Sequence, residues 1–322
     1  MDNYRKNIEE FPEQLSSRGL LSSHFEKLSH TKPEHIVIAG MGGSGLAGEI
    51  VKDFKKELGI TLPITIWKDY SLPEIKGRTL CIFSSFSGNT EETLSGFREA
   101  LRGRKKFSVA VLTTGGELER LARQKKVPLL TFRAGTLTPR QSTGKMFYGL
   151  IEILRSTRIS VNVPLLPKIS AKKFERPAKA LSHKLKQRLI HIYTDQKHKS
   201  LGYIWKIKFN ETAKTSAFAN VMPEMNHNET VSFEKPRFKS AALFIEDNDV
   251  NARVLTRFAL TEKLLKARGV AVHRLKLQGK NEFEKIWGTL ILADWTSYFL
   301  AKLTGADPRE TKIIDALKKL LR

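Results

Sequence analysis

The stretch HIVIAGMGGSGLAGEIVKDF, residues 35–54, places an apolar run directly before a glycine-rich turn and an amphipathic segment. This order predicts a buried strand, a tight turn and a helix, the unit from which doubly wound α/β sheets are built. Gly40, Gly42 and Gly45 have the spacing of a dinucleotide-binding turn. Glycines let the backbone approach an anion, and a helix start offers unpaired N–H groups to it. The turn therefore predicts a phosphate site, for a dinucleotide or for another phosphorylated ligand.

The same alternation of short β-branched runs and longer amphipathic segments continues along the chain. Strand candidates in the first half are HIVIAG, ITIW, LCIFSS, SVAVLTT and PLLTF, and those in the second half are LIHIYT, AALFIED and VAVHRLKL. Helical segments are predicted in the second half around residues 199–220, 250–268 and 282–304.

The two halves are separated by RSTRISVNVPLLPKIS, in which Pro164 and Pro167 interrupt helix continuity. We therefore expect an α/β protein with two doubly wound α/β/α sandwich domains and mainly parallel sheets. The N-terminal domain is predicted to span residues 1–158 and the C-terminal domain residues 159–322.

The chain is strongly basic, with 56 Lys and Arg against 33 Asp and Glu, a net charge of +23. Such an excess suits nucleic acid, an anionic small substrate or an organism with generally basic proteins. The basic residues are spread from Lys52 to Arg322, and the densest run is SAKKFERPAKALSHKLKQR. That run lacks a recognition-helix signature or zinc-finger spacing, so it indicates a solvated helix face and nucleic acid is not an expected partner.

The composition is that of a cytoplasmic protein. No apolar run reaches the roughly 18 residues needed to cross a bilayer, and the polar start MDNYRKNIEEFPEQL lacks a signal-peptide pattern. Cys81 is the single cysteine, which excludes an internal disulfide and indicates a small core residue. The expected location is the cytoplasm, with no membrane partner.

The first loop suits either a dinucleotide or another phosphorylated ligand, and a second loop helps to decide between them. After the strand LCIFSS, the hydroxyls of Ser85, Ser87 and Thr90 surround Gly88 at a predicted helix start. One helix cap needs one side chain, whereas three hydroxyls can surround a phosphate monoester. A dinucleotide would instead need an acidic ribose partner, for which Asp69 is available. The hydroxyls favour a phosphosugar.

GMGGSG together with SSFSGNTEET resembles the sugar isomerase (SIS) domain, whose matching loops bind the phosphate of a phosphosugar. The resemblance implies that the substrate-binding residues are Gly42, Gly43, Ser44, Ser85, Ser87 and Thr90.

Candidates for acid–base chemistry lie in WKIKFNETAKTSAFANVMPEMNHNET, residues 205–230. An aldose–ketose isomerase needs an acid or base that opens the sugar ring and a carboxylate near C2. Glu211 offers the carboxylate, and His227 is of the residue type that donates and accepts protons near neutral pH. Taken alone, these two residues would be interpreted in preference as an exposed helix carboxylate and a polar loop histidine.

The same segment resembles the bifunctional phosphoglucose/phosphomannose isomerases, two-SIS-domain enzymes that interconvert glucose 6-phosphate or mannose 6-phosphate with fructose 6-phosphate. The resemblance implies that Glu211 moves the proton between C2 and C1 and that His227 assists ring opening. It also implies that Arg140, in TPRQSTG, stabilises the enediolate, and that Lys318, in the closing helix TGADPRETKIIDALKKLL, belongs to the site.

The family resemblance further implies a homodimer in which the histidine comes from the neighbouring subunit. Neither a cofactor nor a metal is expected, and the remaining histidines lack metal-ligand spacing: His24, His30, His35, His183, His191, His198 and His273. The chain departs from the family at Gln141–Thr143, where small apolar residues are usual.

Two other functions remain open on the sequence alone. A phosphosugar-binding SIS protein without catalytic activity, such as a sensor or regulator, would keep the same loops. An NAD(P)-dependent oxidoreductase would use the turn formed by Gly40, Gly42 and Gly45 to bind its dinucleotide. The sequence does not distinguish glucose 6-phosphate from mannose 6-phosphate as the substrate.

Overall fold

The chain divides into two units in a computed structural model that describes residues 2–103, 106–162 and 169–321. The N-terminal unit is Glu10–Lys168, and the C-terminal unit combines Met1–Glu9 with Ile169–Arg322. This division differs from the expected 1–158 and 159–322, because helix α1 (Asn3–Glu9) buries Tyr4 and Ile8 within the C-terminal unit. Pro164 and Pro167, which were predicted to break helix continuity, lie outside the described residues.

The N-terminal unit is built on a six-stranded sheet. Its strands are β1 (Leu21–Ser23), β2 (His35–Ala39), β3 (Ile64–Trp67), β4 (Thr79–Ser85), β5 (Phe107–Thr113) and β6 (Leu129–Thr131). Its helices are α2 (Gly42–Asp53), α3 (Glu91–Arg102), α4 (Gly116–Gln124) and α5 (Thr143–Arg155). The five strands predicted from the first half are therefore confirmed as β2 to β6.

The order of the strands creates a crevice at one edge of this sheet. The order is β1-β6-β5-β4-β2-β3, with β1 antiparallel to β6 and the other neighbours parallel. The chain thus adds β3 on one side of β2 and β4 on the other side. In doubly wound sheets, ligands bind where the order reverses in this way, beyond the carboxyl ends of the strands. The loops that follow β2 and β4 occupy this position.

The C-terminal unit contains a four-stranded parallel sheet in the order β10-β9-β7-β8. Its strands are β7 (Leu189–Asp195), β8 (Ala217–Met222), β9 (Ser240–Glu246) and β10 (Ala271–Lys276). Together with α1, its helices are α6 (Glu175–Leu185), α7 (Lys199–Ile207), α8 (Ala252–Lys266), α9 (Glu282–Thr304) and α10 (Lys312–Leu320). Both sheets agree with the expected mainly parallel α/β class.

The helix predicted over residues 199–220 is wrong beyond Ile207. Helix α7 ends there, a single π-helical turn follows over Lys208–Thr212, and the edge strand β8 begins at Ala217. Phe218 and Ala219 point out of the protein although both are apolar. The alternation that usually marks a strand is therefore missing from β8.

Helix α9 is the central helix of the C-terminal unit. Trp287 and Trp295 are fully buried on it, Asn281 caps its start by accepting a hydrogen bond from the Glu284 amide at 3.0 Å, and left-handed Gly305 ends it. Within the described residues, none of the helices combines the length and apolar character needed to span a membrane.

A buried charge network fills the position in the C-terminal sheet where its strand order reverses, between β7 and β9. The ring of His198 is fully buried, with Nδ1 2.7 Å from Asp195 Oδ2 and Nε2 3.4 Å from Glu282 Oε2. Lys285 Nζ donates to both oxygens of Asp247, at 3.0 and 2.9 Å. The sequence pattern around His198 indicated no role for this residue. The structure instead places its ring at the centre of a buried charge network.

His198, Asp247 and Glu282 also present possible metal-ligand atoms within 4.8 Å of one another. Lys285 already contacts both carboxylates, and Lys197 Nζ lies 3.2 Å from Glu282 Oε1. Because protein cations neutralise these carboxylates, we interpret the cluster as a structural ion network.

Protonation of His198 is coupled to folding of this unit. Burial by itself lowers the pKa of the ring, but the hydrogen bonds to Asp195 and Glu282 outweigh it and raise the pKa from 6.5 to about 9. The same hydrogen bond lowers the pKa of the Glu282 carboxyl to about 2. The imidazolium form is therefore the one that the folded protein stabilises at neutral pH.

We predict that His198 makes the stability of the protein depend on pH. Because the folded pKa lies above the unfolded value, the contribution is complete below pH 6.5 and is lost as the pH rises through 9. Its size is on the order of 3 kcal/mol. In urea unfolding, His198→Gln should therefore lose more stability at pH 6 than at pH 9.5, relative to the unsubstituted protein. An equal loss at both pH values would contradict this coupling.

Candidate active site

The glycines of the first loop are required by close backbone packing. Gly42 opens α2 with a left-handed φ of 48°. A Cβ added to Gly43 would lie 2.7 Å from the Arg140 amide nitrogen, and one added to Gly45 would lie 2.6 Å from the Gly40 carbonyl oxygen. Distances this short are not tolerated against backbone atoms. The glycines therefore bring the first turn of α2 directly against the segment that carries Arg140.

Ser44 joins the loops that follow β2 and β4. Its side chain is almost fully buried, and its Oγ accepts a hydrogen bond from the Phe86 amide at 2.9 Å. In the other direction, the Ser84 hydroxyl donates to the Ser44 carbonyl at 3.1 Å. Since the Ser44 oxygen accepts from the protein, its hydroxyl hydrogen is directed to a different acceptor, and a phosphate oxygen suits this role.

The two serine hydroxyls of the second loop differ in exposure and in their contacts. Ser85 is fully buried, and its Oγ accepts from the Gly88 amide at 3.1 Å and contacts Thr90 Oγ1 at 2.9 Å. Ser87 is exposed, and its Oγ accepts from the Asn89 amide at 3.2 Å. Ser85 therefore shapes the turn from inside, whereas Ser87 can reach a ligand in solution.

Gly88 and Thr90 fix the shape of this turn. Gly88 has a left-handed φ of 66°, and a Cβ there would lie 1.8 Å from the Gly115 carbonyl oxygen. Thr90 occupies the N-cap position of α3, but its hydroxyl contacts Ser85. Helix capping alone therefore does not explain the three hydroxyls of the loop.

Arg140 lies on the short 3-10 helix Pro139–Gln141 and is only 2% exposed. The hydroxyl of Ser142 donates to the Pro139 carbonyl at 2.8 Å, and that of Thr143 to the Arg140 carbonyl at 3.3 Å. The Gln141 carbonyl accepts from Gln14 Nε2 at 2.9 Å. The hydroxyls of Ser142 and Thr143, at positions where the resemblance implied small apolar residues, thus supply polar contacts that hold the Arg140 turn, and the Gln141 side chain accepts from Thr138 Oγ1 at 3.3 Å.

The N-terminal unit therefore brings its predicted site residues to one place, where the strand order reverses between β2 and β4. Ser44 contacts the second loop through Phe86, and Gly43 contacts the backbone of Arg140. The other residues of the group are Gly42, Ser85, Ser87 and Thr90.

Glu211 lies at a cleft within the C-terminal unit. The residue is half-buried on the π-helical turn Lys208–Thr212, and the cleft has a volume of about 960 Å³. Apolar, basic and acidic side chains line it together with Glu211, among them Phe218, Ile313, Ile314, Lys206, Lys214, Lys312, Asp307 and Glu310. A half-buried carboxylate at such a cleft is placed to exchange a proton with a bound substrate.

Several contacts hold the turn that carries Glu211. Lys208 and Asp294 form a buried ion pair at its start. Lys214 Nζ donates to the carbonyl oxygens of Glu211 and Asp307, at 2.7 and 2.6 Å. The backbone of Lys214 is in the left-handed region, with a φ of 51°. Lys214 could not be selected from the sequence pattern, because its contact with Asp307 joins residues 93 positions apart.

His227 and Lys318 are both exposed. His227 ends the short 3-10 helix Glu224–His227, and Lys318 lies on α10, every residue of which is exposed. In the part of the chain that the structure describes, the residues lining the Glu211 cleft include neither of them. Their assignment to the site therefore remains a prediction.

Comparison with known proteins supports the fold. Residues 174–321 match the family model of the bacterial phosphoglucose isomerase C-terminal SIS domain. The C-terminal domain of glucosamine-fructose-6-phosphate aminotransferase from Francisella tularensis is similar in structure, with a TM-score of 0.67 and 16% identity over 95% of this chain and 98% of that one. At this identity the likeness shows the fold alone. The chain thus has the SIS fold.

Two curated relatives extend the match over almost the whole chain. The bifunctional phosphoglucose/phosphomannose isomerase of Thermoplasma acidophilum is 31% identical over 290 residues, 88% of this chain and 89% of the relative. That of Aquifex aeolicus is 31% identical over 292 residues, 89% of this chain and 90% of the relative. The chain belongs to the bifunctional phosphoglucose/phosphomannose isomerase family, which confirms the resemblance seen in its sequence.

We predict that Gly43→Ala weakens phosphosugar binding about tenfold or more, because the new Cβ forces the Arg140 backbone away from α2. Titration of the variant with a hexose 6-phosphate in a calorimeter measures the loss.

Gly48→Ala is the matched control on the same helix. Its Cβ would meet side-chain atoms of Ile38 and Ile66, at 3.0 and 3.3 Å, and not the Arg140 turn. It should lower the melting temperature while retaining affinity. Equal affinities of the two variants would show that the Gly43 contact does not shape the binding site.

Proposed function

We propose that the protein is an aldose–ketose isomerase that interconverts glucose 6-phosphate, mannose 6-phosphate or both with fructose 6-phosphate. The observation that carries this proposal is Glu211, a half-buried carboxylate on a firmly held turn at a cleft lined by lysines, further carboxylates and apolar side chains. Its place in a family whose curated members bear the name phosphoglucose/phosphomannose isomerase supports the substrate class.

The phosphate is assigned to the N-terminal unit. Ser44, Ser87 and Thr90 supply hydroxyl donors, and the first turn of α2, with Gly42 and Gly43, supplies backbone N–H groups. Ser85 supports the site without contacting the phosphate, because its buried hydroxyl holds the turn through Gly88 and Thr90. Neutral donors and a helix N-terminus bind a phosphate dianion without a metal ion.

The reaction is a proton transfer. His227 protonates the ring oxygen while the C1 hydroxyl loses its proton, which opens the ring. Glu211 then removes the proton from C2 of the open aldose and leaves an enediolate, whose negative charge Arg140 stabilises. Glu211 returns the proton to C1 as the hydroxyl proton moves from O2 to O1, giving the ketose. Lys318 adds a second cation to the site.

This chemistry needs no redox cofactor, because no electrons leave the substrate, and Arg140 supplies the positive charge that the enediolate requires. A sensor that only binds phosphosugars would bind without turnover, and an NAD(P)-dependent oxidoreductase would bind NADH in place of a phosphosugar. Asp69, the expected ribose partner of a dinucleotide, is exposed and accepts a hydrogen bond from the Tyr70 amide at 2.7 Å.

We further propose that the enzyme is a cytoplasmic homodimer. Helix α10 exposes Ile313 and Leu320 by 84% and 85%, and Leu317 by 56%. Covering such a side chain fully contributes about 1.5–3 kcal/mol, so a subunit interface over this helix would be stabilising. Exposure of His227 supports its donation to the neighbouring subunit, as the family resemblance implies.

We predict that Glu211→Gln abolishes isomerisation of both glucose 6-phosphate and mannose 6-phosphate while fructose 6-phosphate still binds. The amide cannot accept the C2 proton, so kcat should fall by at least about 100-fold. Glu310→Gln is the control, because Glu310 lines the same cleft but pairs with Lys312 at 2.8 Å. A coupled assay should show near-normal turnover for this control. Near-normal turnover of Glu211→Gln would refute the assignment.

Mixing two inactive variants tests whether the active site is shared between subunits. Glu211→Gln and His227→Asn homodimers should each be inactive. If the histidine comes from the partner, exchanging their subunits should restore roughly a quarter of the normal turnover, because half of the dimers regain one complete site. Turnover that stays at the level of the separate variants would show that each subunit uses its own His227.

A further inference from the structure

Helix α1, at the extreme N-terminus, is part of the C-terminal unit. Tyr4 is 1% exposed, and its ring stacks on that of Tyr298 from α9, with centroids 6.1 Å apart and planes within 7°. The proposed reaction uses none of residues 1–9.

The hydroxyl of Tyr4 reaches the turn that carries the proposed catalytic carboxylate. Its oxygen lies 2.8 Å from Thr212 Oγ1, and Thr212 is fully buried. Thr212 ends the π-helical turn and directly follows Glu211 in the chain. A hydrogen bond between two buried hydroxyls is costly to break, because water cannot replace the lost partner.

Other contacts attach α1 and the residue before it to the surrounding helices. Asp2 Oδ2 accepts from the Tyr298 hydroxyl at 2.7 Å and lies 3.4 Å from Lys302 Nζ. Arg5 pairs with Glu9 and with Glu175, both at 2.9 Å. The position of the Tyr4 hydroxyl is therefore set by the surrounding helices and not by the turn that it contacts.

The turn is also the kind of element that needs such support. π-helical turns are rare and are found mostly at functional sites. The Lys208–Asp294 ion pair holds the residue that begins the turn, and Lys214 holds the Glu211 carbonyl. The Tyr4 contact holds the residue that ends it. A carboxylate that moves a proton between adjacent carbons must be aimed closely, since a displacement of about 1 Å costs on the order of 100-fold in rate.

We propose that Tyr4 is a positioning residue for Glu211 and acts through Thr212. The N-terminal helix thereby sets the direction of the carboxylate, although it does not touch the substrate. This inference rests on the proposed role of Glu211 in proton transfer.

The experiment compares Tyr4→Phe, Thr212→Val and the double variant with the unsubstituted enzyme. Tyr4→Phe removes only the hydroxyl and retains the ring. We expect kcat to fall about tenfold in each single variant, with KM within about twofold, because substrate binding does not involve the turn's last residue. The double variant should be no slower than the slower single one, since both changes break the same contact.

Tyr298→Phe is the matched control. It removes a tyrosine hydroxyl that also bonds to α1, but the bond is to Asp2 and not to the Glu211 turn. Its kcat should stay within about twofold of the normal value, since Arg5 and Lys302 still hold α1. Hydrogen–deuterium exchange of residues 208–214 should rise in Tyr4→Phe and not in Tyr298→Phe.

Three results would overturn the inference, and they are distinguishable. If Glu211→Gln is inactive but Tyr4→Phe retains its kcat, the positioning role fails and the proposed function stands. If Glu211→Gln retains turnover, the proposed role of Glu211 fails and that of Tyr4 fails with it. Equal kcat losses in Tyr4→Phe and Tyr298→Phe would show that the Tyr4–Thr212 hydrogen bond only helps to hold α1 in place. This result would also contradict the inference.

Discussion

The hydrogen bond from the Phe86 amide to the Ser44 hydroxyl is the contact on which the phosphate-binding region depends. It joins the loops after β2 and β4 at the point where the strand order reverses. Without it, a buried amide would lack its acceptor, at a cost of about 1–3 kcal/mol. The same bond directs the Ser44 hydroxyl hydrogen to another acceptor, so that one interaction both builds the turn and orients a ligand donor.

The two units use the same topological position in opposite ways. In the N-terminal unit, hydroxyls and backbone N–H groups surround it, an environment that supports the proposed phosphate site. In the C-terminal unit, the carboxylates of Asp195, Asp247 and Glu282 occupy it with their own cations, His198 and Lys285. Carboxylates repel phosphate, so the second sheet is unsuited to a second phosphate site. The proposed catalytic carboxylate of that unit, Glu211, lies on the connection between β7 and β8.

Much of the fold could be predicted because buried parallel strands have a simple sequence pattern. β2 to β6 are short apolar runs, and glycine or hydroxyl residues follow β2, β4 and β5, which made the two candidate phosphate loops recognisable. β8 did not, since it is an edge strand with Phe218 exposed. The Tyr4–Thr212 contact joins residues 208 positions apart, and the His198 network joins separate segments. Neither leaves a local pattern.

Isomerisation carried out in deuterium oxide tests proton transfer through an enediolate most directly. Fructose 6-phosphate is incubated with the enzyme in deuterium oxide, and the aldose 6-phosphate product is examined by proton NMR and mass spectrometry. Because a carboxylate that holds the proton exchanges it with solvent, we predict that deuterium appears at C2 of the product. A product that forms at full rate with only hydrogen at C2 would indicate direct hydride migration and would contradict the account.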